Sequence, residues 1–239
     1  MENRNVQQTP EQTKAMSFIL ELPKGFRTIN NEKDPTKTTI LPTKTALAGL
    51  IGAVASIKRG TPEMYQLYDF LIYCEPFKSK IWLETDPQTG NQYVVNRNGK
   101  QPLRLRVIAI PTTDQTVSIM KKFLRNARYV KDMSQKKHLY LGQNAYPVRI
   151  LKARAINVVK QTQARTFSQR YIIPTFGVEL LEPAEKWIKI RFPVRRKMTG
   201  TGDVIETIPV YTTRLDRPLR IKAHESYYIP DEERYFLPV

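Results

Sequence analysis

The sequence predicts an α+β fold, with a ferredoxin-like domain over residues 16–154 and a β-rich C-terminal region over residues 155–239. Two observations predict it. From residue 16 to residue 152, runs with the period of a strand or of a helix follow in the order strand, helix, strand, strand, helix, strand, which is the split βαβ arrangement. After residue 155, short β-rich runs are separated by prolines, which favour edge strands and turns.

The first element is a strand over Ser17–Leu22, which Pro23 and Gly25 bring to an end. Residues 1–15 are polar, with little apolar content, and we expect a flexible tail there rather than a signal peptide.

The clearest helix pattern runs over Thr43–Ser56, where Leu47, Leu50, Ile51 and Val54 recur at the three-and-four spacing of one buried face. Pro42 and Thr43 suit a helix start. A second row at spacing four consists of small residues: Ala48, Gly52 and Ser56. Such a row predicts that another backbone packs closely against this helix.

The middle of the chain predicts a short helix, a hairpin and a longer helix. Residues 62–74 favour a short helix, with a strand as the alternative at its end. Strands follow at Lys80–Glu84, Tyr93–Val95 and Leu103–Ile110, with a turn cluster at Asp86–Asn91 and Asn98-Gly99 as a hairpin turn. In the last of these strands Arg104 and Arg106 alternate with apolar residues, which makes one face basic and a candidate RNA contact. A helix over residues 115–126 and a strand near Ile150 complete the domain.

The charge of the chain favours a polyanionic partner. Lys and Arg number 39 against 22 Asp and Glu, which gives a formal net charge of +17. Nucleic acid is favoured over a membrane, because no stretch approaches the about 20 apolar residues of a membrane helix. The sequence shows no Walker loop, no placeable Ser–His–Asp set and no cluster of metal ligands, so we predict no cofactor and no metal. The one cysteine, Cys74, fits the reducing cytoplasm.

A candidate phosphate cradle lies where the first strand meets the glycine-containing helix. A helix start exposes free N–H groups and the positive end of the helix dipole, which attract anions. Lys24 and Arg27 follow the first strand, and Thr43, Lys44 and Thr45 open the helix. The alternative is an ordinary solvated helix start that is capped by Thr43.

These segments resemble CRISPR-associated protein family five, of the repeat-associated (RAMP) superfamily with its ferredoxin-like, RRM-like fold. The stretch LPTKTALAGLIGAVASI over residues 41–57 is similar to that family's Pro-Thr-basic-x-x-x-x-Gly-Leu helix. FILELPKGFR over residues 18–27 is similar to its first strand and Phe-Arg turn, and YLGQNAYPV over residues 140–148 to its Leu-Gly motif. The motifs occur in the family's order, but cover only a small part of the chain, and the last third matches none of them.

The resemblance implies a non-catalytic subunit of a type I interference complex (Cascade) that caps the 5′ handle of crRNA. Its implied partners are crRNA, a family-seven backbone subunit and the large subunit that recognises target DNA. A thumb hairpin is implied at about residues 92–102. By matching motif, Arg27, Thr43, Lys44 and Thr45 would bind handle phosphates, and Tyr140, Gly142, Gln143 and Asn144 would approach handle bases, whereas we expect Leu141 in the core.

Two basic tracts, Lys121–Lys137 and Lys186–Lys197, would add nonspecific phosphate affinity or contact target DNA. Two alternative functions stay open. Lys137, His138 and Tyr140 could supply the acid and base of a metal-independent endoribonuclease that processes precursor crRNA, although alternation along a strand would exclude Lys137 from the face of the other two. The other alternative is a generic basic RNA-binding protein.

Overall fold

The structure is a computed structural model that describes residues 12–23, 25–27, 40–133, 139, 141, 147–199, 202–213 and 217–239. The helices of these residues are α1 (Lys44–Val54), α2 (Pro62–Gln66) and α3 (Asp114–Met133). The strands are β1 (Gln12–Leu22), β2 (Phe26–Arg27), β3 (Leu71–Pro76), β4 (Ile81–Thr85), β5 (Gln92–Asn96), β6 (Leu103–Ile110), β7 (Arg149–Gln161), β8 (Arg165–Gln169), β9 (Ile173–Pro174), β10 (Val178–Leu180), β11 (Ile188–Thr199), β12 (Gly202–Thr212), β13 (Leu219–Ala223), β14 (Ser226–Ile229) and β15 (Arg234–Phe236). The fold is therefore a mixture of helices and strands in which strands dominate.

A six-stranded sheet with the order β15-β14-β7-β1-β6-β3 forms the centre of the fold, and every neighbouring pair is antiparallel. β1 lies in its middle and begins at Gln12, five residues before the predicted start. Residues 12–15, which the sequence assigned to the tail, pair with β7. Burial explains the difference, because Ala15 and Met16 are fully buried.

Helices α1 and α3 cover one face of this sheet and form the main core with it. On that face the Phe18 ring of β1 packs against the Phe123 ring of α3, with ring centroids 4.8 Å apart. α1 buries Leu47, Leu50 and Ile51, as its apolar spacing predicts. None of the helices in the described part of the chain is long and apolar enough to cross a membrane.

The small-residue row of α1 contacts a side chain rather than a second backbone. A Cβ placed on Gly52 would lie 2.6 Å from Cδ1 of Leu67, in the 3-10 turn Leu67–Asp69. A Cβ on Gly49 would meet nothing within 4 Å. The expectation of close backbone packing was wrong, because the space that glycine leaves in α1 is filled by a buried leucine.

The hairpin in the middle of the chain joins β4 to β5. Asn98-Gly99 does form a turn, in which Gln101 N donates a hydrogen bond to the Asn98 carbonyl (2.9 Å), but the strands on its two sides do not pair, so its assignment as the hairpin turn was wrong. β5 pairs with β4 and β2 in a separate small sheet, whereas β6 pairs with β1 and β3 in the central sheet. Asp86 closes the real turn by accepting hydrogen bonds from Gln88 N (2.8 Å) and Thr89 Oγ1 (2.8 Å). Since β6 is almost entirely buried, the apolar core draws it away from β5.

The expected boundary between residues 154 and 155 falls inside β7, and the C-terminal region shares the main core. β14 and β15 extend the central sheet next to β7. Ile172, Ile190, Phe192 and Val210 are buried in the same cluster as α1 and α3. Residues 155–239 are rich in strands, but they complete the core of the preceding residues instead of forming an appendage.

Candidate nucleic-acid interface

The Gly-Phe-Arg turn and the β4–β5 hairpin form one unit. Gly25 has a φ of +70°, and a Cβ on it would lie 2.1 Å from the carbonyl oxygen of Val94, so only glycine fits there. Phe26 is buried and opposes Val94, and the backbone of Arg27 opposes Tyr93. The turn that the sequence singled out is thus fixed by its contact with β5.

One face of this hairpin carries an exposed aromatic residue and a cation. Val94 and Asn96 are buried, so the alternate residues of β5 lie on the outward face. Trp82 of β4 opposes Val95 and has 52% of its surface exposed. The Arg97 guanidinium lies over its ring, 5.5 Å from the centroid. We call Trp82, Tyr93, Val95 and Arg97 the Trp82 face.

The start of α1 does not form an open phosphate cradle. Thr43 caps the helix, since its Oγ1 accepts a hydrogen bond from Ala46 N (3.2 Å), and Thr45 Oγ1 lies 2.9 Å from the same hydroxyl. Thr43 and Lys44 are both buried. Of the four candidates that the structure describes, only the partly buried Thr45 and the backbone position of Arg27 remain compatible with a surface contact.

Lys44 occupies a buried charged environment beside the helix start. Burial is the main cause that lowers its pKa from the ordinary 10.5 to about 8, Arg195 lowers it further, and Asp69 acts in the opposite direction. Arg195 itself forms an ion pair with Asp69. A cavity with room for about one water molecule adjoins Lys44, lined also by Pro42, Phe192 and Val239. These surroundings favour a structural role for Lys44 over phosphate binding.

The two arginines of β6, which the sequence analysis predicted as RNA contacts, form ion pairs within the protein. Arg104 pairs with Glu21 (Nη2–O 2.8 Å). Arg106 is buried and holds Glu232 through two hydrogen bonds of 2.5 and 2.6 Å, with a third from its Nε to Ser17 Oγ (3.3 Å). The hydrogen bond from Arg106 lowers the pKa of the Glu232 carboxyl. Both arginines are therefore paired with carboxylates of the chain, but only Arg106 is buried, and Arg106 is better explained as a structural residue.

Several predicted residues lie outside the part of the chain that the structure describes: Lys24, Lys137, His138, Tyr140, Gly142, Gln143 and Asn144. Their proposed roles stay predictions. Leu141 is buried, which confirms its assignment to the core. Within the described ranges, no three His, Cys, Asp or Glu side chains come together as a possible metal site.

Sequence reasoning missed Trp82. A tryptophan between Ile81 and Leu83 suggests a buried strand, and Arg97 is 15 positions away along the chain. Only the register of the hairpin, in which Trp82 opposes Val95, brings the indole and the guanidinium together. The available signal was the string of cations that surrounds an isolated aromatic residue: Lys78, Lys80, Arg97 and Lys100.

Comparison with known proteins gives matches only at the level of structure. No family model and no curated protein matches this chain. A CRISPR protein from Archaeoglobus fulgidus aligns over 95% of this chain and 100% of its own, with 14% identity and a TM-score of 0.58. An RAMP protein that binds different RNA substrates (12% identity, 87% of each chain, TM-score 0.35) aligns less closely. So does a chain of a CRISPR RNA-guided surveillance complex (11% identity, 87% of this chain and 90% of that chain, TM-score 0.36). The chain therefore shares its fold with the Archaeoglobus fulgidus CRISPR protein.

Proposed function

We propose that this chain is a non-catalytic, cytoplasmic RNA-binding subunit of a type I CRISPR interference complex (Cascade), in which it binds and caps the 5′ handle of crRNA. Its partners in this proposal are a family-seven backbone subunit, the large subunit and, indirectly or through basic patches, target DNA. The single observation that carries the proposal is the Trp82 face, on a chain with a net charge of +17.

The Trp82 face has the chemistry of a site for single-stranded RNA. Bases that are not paired stack on aromatic side chains, and each such contact contributes about 1–3 kcal/mol. Arg97 already lies over one part of the indole and adds a cation next to a stacked base. Because Gly25 docks the Arg27 backbone onto the same small sheet, the Phe-Arg turn and the exposed indole belong to one surface.

Four strands of the central sheet and two helices have the order of a ferredoxin-like domain. The strands β7, β1, β6 and β3 are adjacent in this order and all antiparallel, with α1 between β1 and β3 in the chain and α3 between β6 and β7. We infer that they form a ferredoxin-like domain, whose strand and helix order they match. The thumb of this domain is then the hairpin Ile81–Asn96 rather than residues 92–102.

The identity of the bound RNA distinguishes handle capping from generic RNA binding. The tagged chain is expressed with its neighbouring genes and purified, and the 5′ ends of the RNA that copurifies are sequenced. We expect short RNAs with one shared, repeat-derived 5′ end. RNAs with random ends would instead support the alternative of a generic basic RNA-binding protein.

The role of the Trp82 face is tested by titrating the purified chain with fluorescent repeat-derived RNA. The variant Trp82→Ala should weaken binding by about 5- to 150-fold, the equivalent of one stacked base. Phe176→Ala is the matched control, since Phe176 is 94% exposed but lies on the turn between β9 and β10. Equal losses in both variants would contradict the assignment of the site.

Incubation of repeat RNA with the pure chain tests whether it only binds RNA or also cleaves it. Repeat RNA incubated with the pure chain in a chelator should stay intact over hours. Cleavage that disappears in His138→Ala would replace the binding proposal by the processing activity.

A further inference from the structure

The face of the central sheet that α1 and α3 leave uncovered carries two similar charge clusters. In the first, Glu21 lies between Arg104 (2.8 Å) and Arg149 (3.8 Å). In the second, Glu232 lies between Arg106 (2.5 Å) and Arg154 (3.9 Å). Each cluster has two arginines and one carboxylate, so the pair of clusters carries a surplus of two positive charges.

Within each cluster the two arginines differ in how firmly they are held. Arg104 and Arg106, both on β6, make the close pair with the carboxylate. Arg149 and Arg154, both on β7, lie at the long distance, and their side chains are 67% and 66% exposed. The carboxylates are largely covered, at 11% and 26% exposed. The outer surface of both clusters therefore includes loosely held guanidinium groups, most of whose N–H donors have no acceptor among the residues that the structure describes.

A β-bulge places these two arginines on the same face. Two residues of β7, Lys152 and Ala153, stand opposite the single residue Phe18 of β1, and Lys152 has a φ of 53°. Because side chains alternate along a strand, residues five positions apart, such as Arg149 and Arg154, would otherwise point to opposite faces. Ile150 and Ala153, three positions apart, both pack on the main core, which shows the shift directly.

The bulge has a conformational cost, and it also turns Ile156 and Val158 into the buried cluster on the same face as Arg154. A positive φ in a residue other than glycine is uncommon, and bulges serve to re-aim side chains at functional positions. Here the bulge turns Arg154 away from the core helices and onto the same face as Arg149, which lies roughly 15 Å away along the strand.

We propose that Arg149 and Arg154 of β7, aligned by the bulge at Lys152, form a phosphate-binding surface for a single strand of nucleic acid, separate from the Trp82 face. Planar guanidinium groups bind phosphate oxygens with two parallel hydrogen bonds, which a carboxylate 3.8–3.9 Å away does not satisfy. The two arginines would contact separated phosphates of one strand. An acidic protein could use the same charges, and the experiment distinguishes it.

The test compares two double variants with equal changes in charge. The first is Arg149→Gln with Arg154→Gln, whose long and exposed ion pairs contribute little to stability. The control is Lys58→Gln with Arg59→Gln, two exposed cations after α1 that make no ion pair within the described part of the chain. Thermal melts verify that each variant folds. The probe is a fluorescent 20-nucleotide oligouridylate, titrated at 50 and 200 mM salt.

We expect the Arg149/Arg154 variant to bind more weakly, with a salt dependence that is shallower by about 1.4 units in the slope of log K against log salt. That is the value for two phosphate contacts on a single strand. The ratio of the association constants of the natural chain and the variant should therefore be about sevenfold smaller at 200 mM salt than at 50 mM. The control should keep the natural slope. Equal behaviour of the two variants would overturn the proposal.

Three further outcomes show which of the two proposals fails. Binding that is lost in Trp82→Ala but unchanged in the Arg149/Arg154 variant would refute the second surface and leave the proposed function standing. Absence of oligouridylate binding by the natural chain would contradict the second surface, and the proposed function would then be judged by the titration with repeat-derived RNA. If the Arg149/Arg154 variant loses affinity for poly-glutamate and not for RNA, the surface binds an acidic protein and the proposal is wrong.

Discussion

At the scale of single residues, Lys44 illustrates how burial changes the meaning of a charge. A lysine at a helix start next to two threonines has the composition of a phosphate site. In the fold, Phe192 and Val239 line the cavity beside it, and Asp69 and Arg195 supply its electrostatic surroundings. At the surface this positive charge would attract a polyanion. In the interior, desolvation of the ammonium group lowers the stability of the folded chain.

This cost predicts a dependence of stability on pH. The pKa of Lys44 is about 8 in the folded chain and 10.5 in the unfolded chain, so between these values the unfolded state binds more protons and stability rises with pH. The free energy of unfolding of the natural chain should therefore rise relative to Lys44→Met by up to about 3 kcal/mol between pH 8 and 10.5.

Urea denaturation at a series of pH values measures this difference. Lys122→Met is the control, because Lys122 lies at the surface, where it pairs with Glu63. Parallel stability curves for the natural chain and Lys44→Met would show that Lys44 is not held in a desolvated site.

At the scale of elements, α1 shows that two glycines of one helix can have opposite roles. Gly49 is exposed and faces open space, so Gly49→Ala should stabilise the chain by about 1 kcal/mol through helix propensity. Gly52→Ala would push its Cβ to 2.6 Å from Leu67, and overpacking of this kind costs about 1–3 kcal/mol.

Chemical denaturation of the two variants checks this prediction in one experiment. The denaturant concentration at the unfolding midpoint should be higher than that of the natural chain for Gly49→Ala and lower than that of the natural chain for Gly52→Ala. A second change, Leu67→Ala, should relieve the clash in the Gly52 variant. If both glycine variants stabilise the chain equally, the close contact between α1 and Leu67 is not present in solution.

The β4–β5 hairpin and the bulge in β7 are the two elements on which the proposed binding surfaces depend. Each of them changes which side chains share a face. The register of the hairpin brings Trp82 into contact with Arg97. The extra residue of the bulge puts Arg149 and Arg154 on the same face of the sheet. Neither depends on residue type alone, since an altered register would leave the same residues on opposite faces.

At the scale of the whole molecule, the C-terminal third is part of the core. Ile172, Ile190, Phe192 and Val210 pack in the same cluster as α1. Burying four such side chains contributes roughly 6–12 kcal/mol, which is comparable with the total stability of about 5–15 kcal/mol of a typical domain.

A fragment of residues 1–154 should therefore fail to fold cooperatively. It lacks these four side chains and ends inside β7, which leaves β1 with only part of one neighbour. Circular dichroism melts and amide spectra of the fragment and the full chain compare the two. A sharp melting transition with dispersed amide signals from the fragment would show that residues 16–154 are an independent domain.

The sequence by itself determined the elements whose signals are local. Helix α1 and the strand Leu103–Ile110 follow from apolar spacing, because burial of a face imposes a period on the residues that form it. The positive charge follows from composition alone.

Only the tertiary structure decided which residues come together. The pairing of β5 with β4, the burial of Lys44, the ion pairs of Arg104 and Arg106, and the neighbourhood of Trp82 and Arg97 each depend on contacts between distant parts of the chain. Strand partners are chosen by the packing of the entire core, and a local pattern contains no information about which distant strand satisfies that packing.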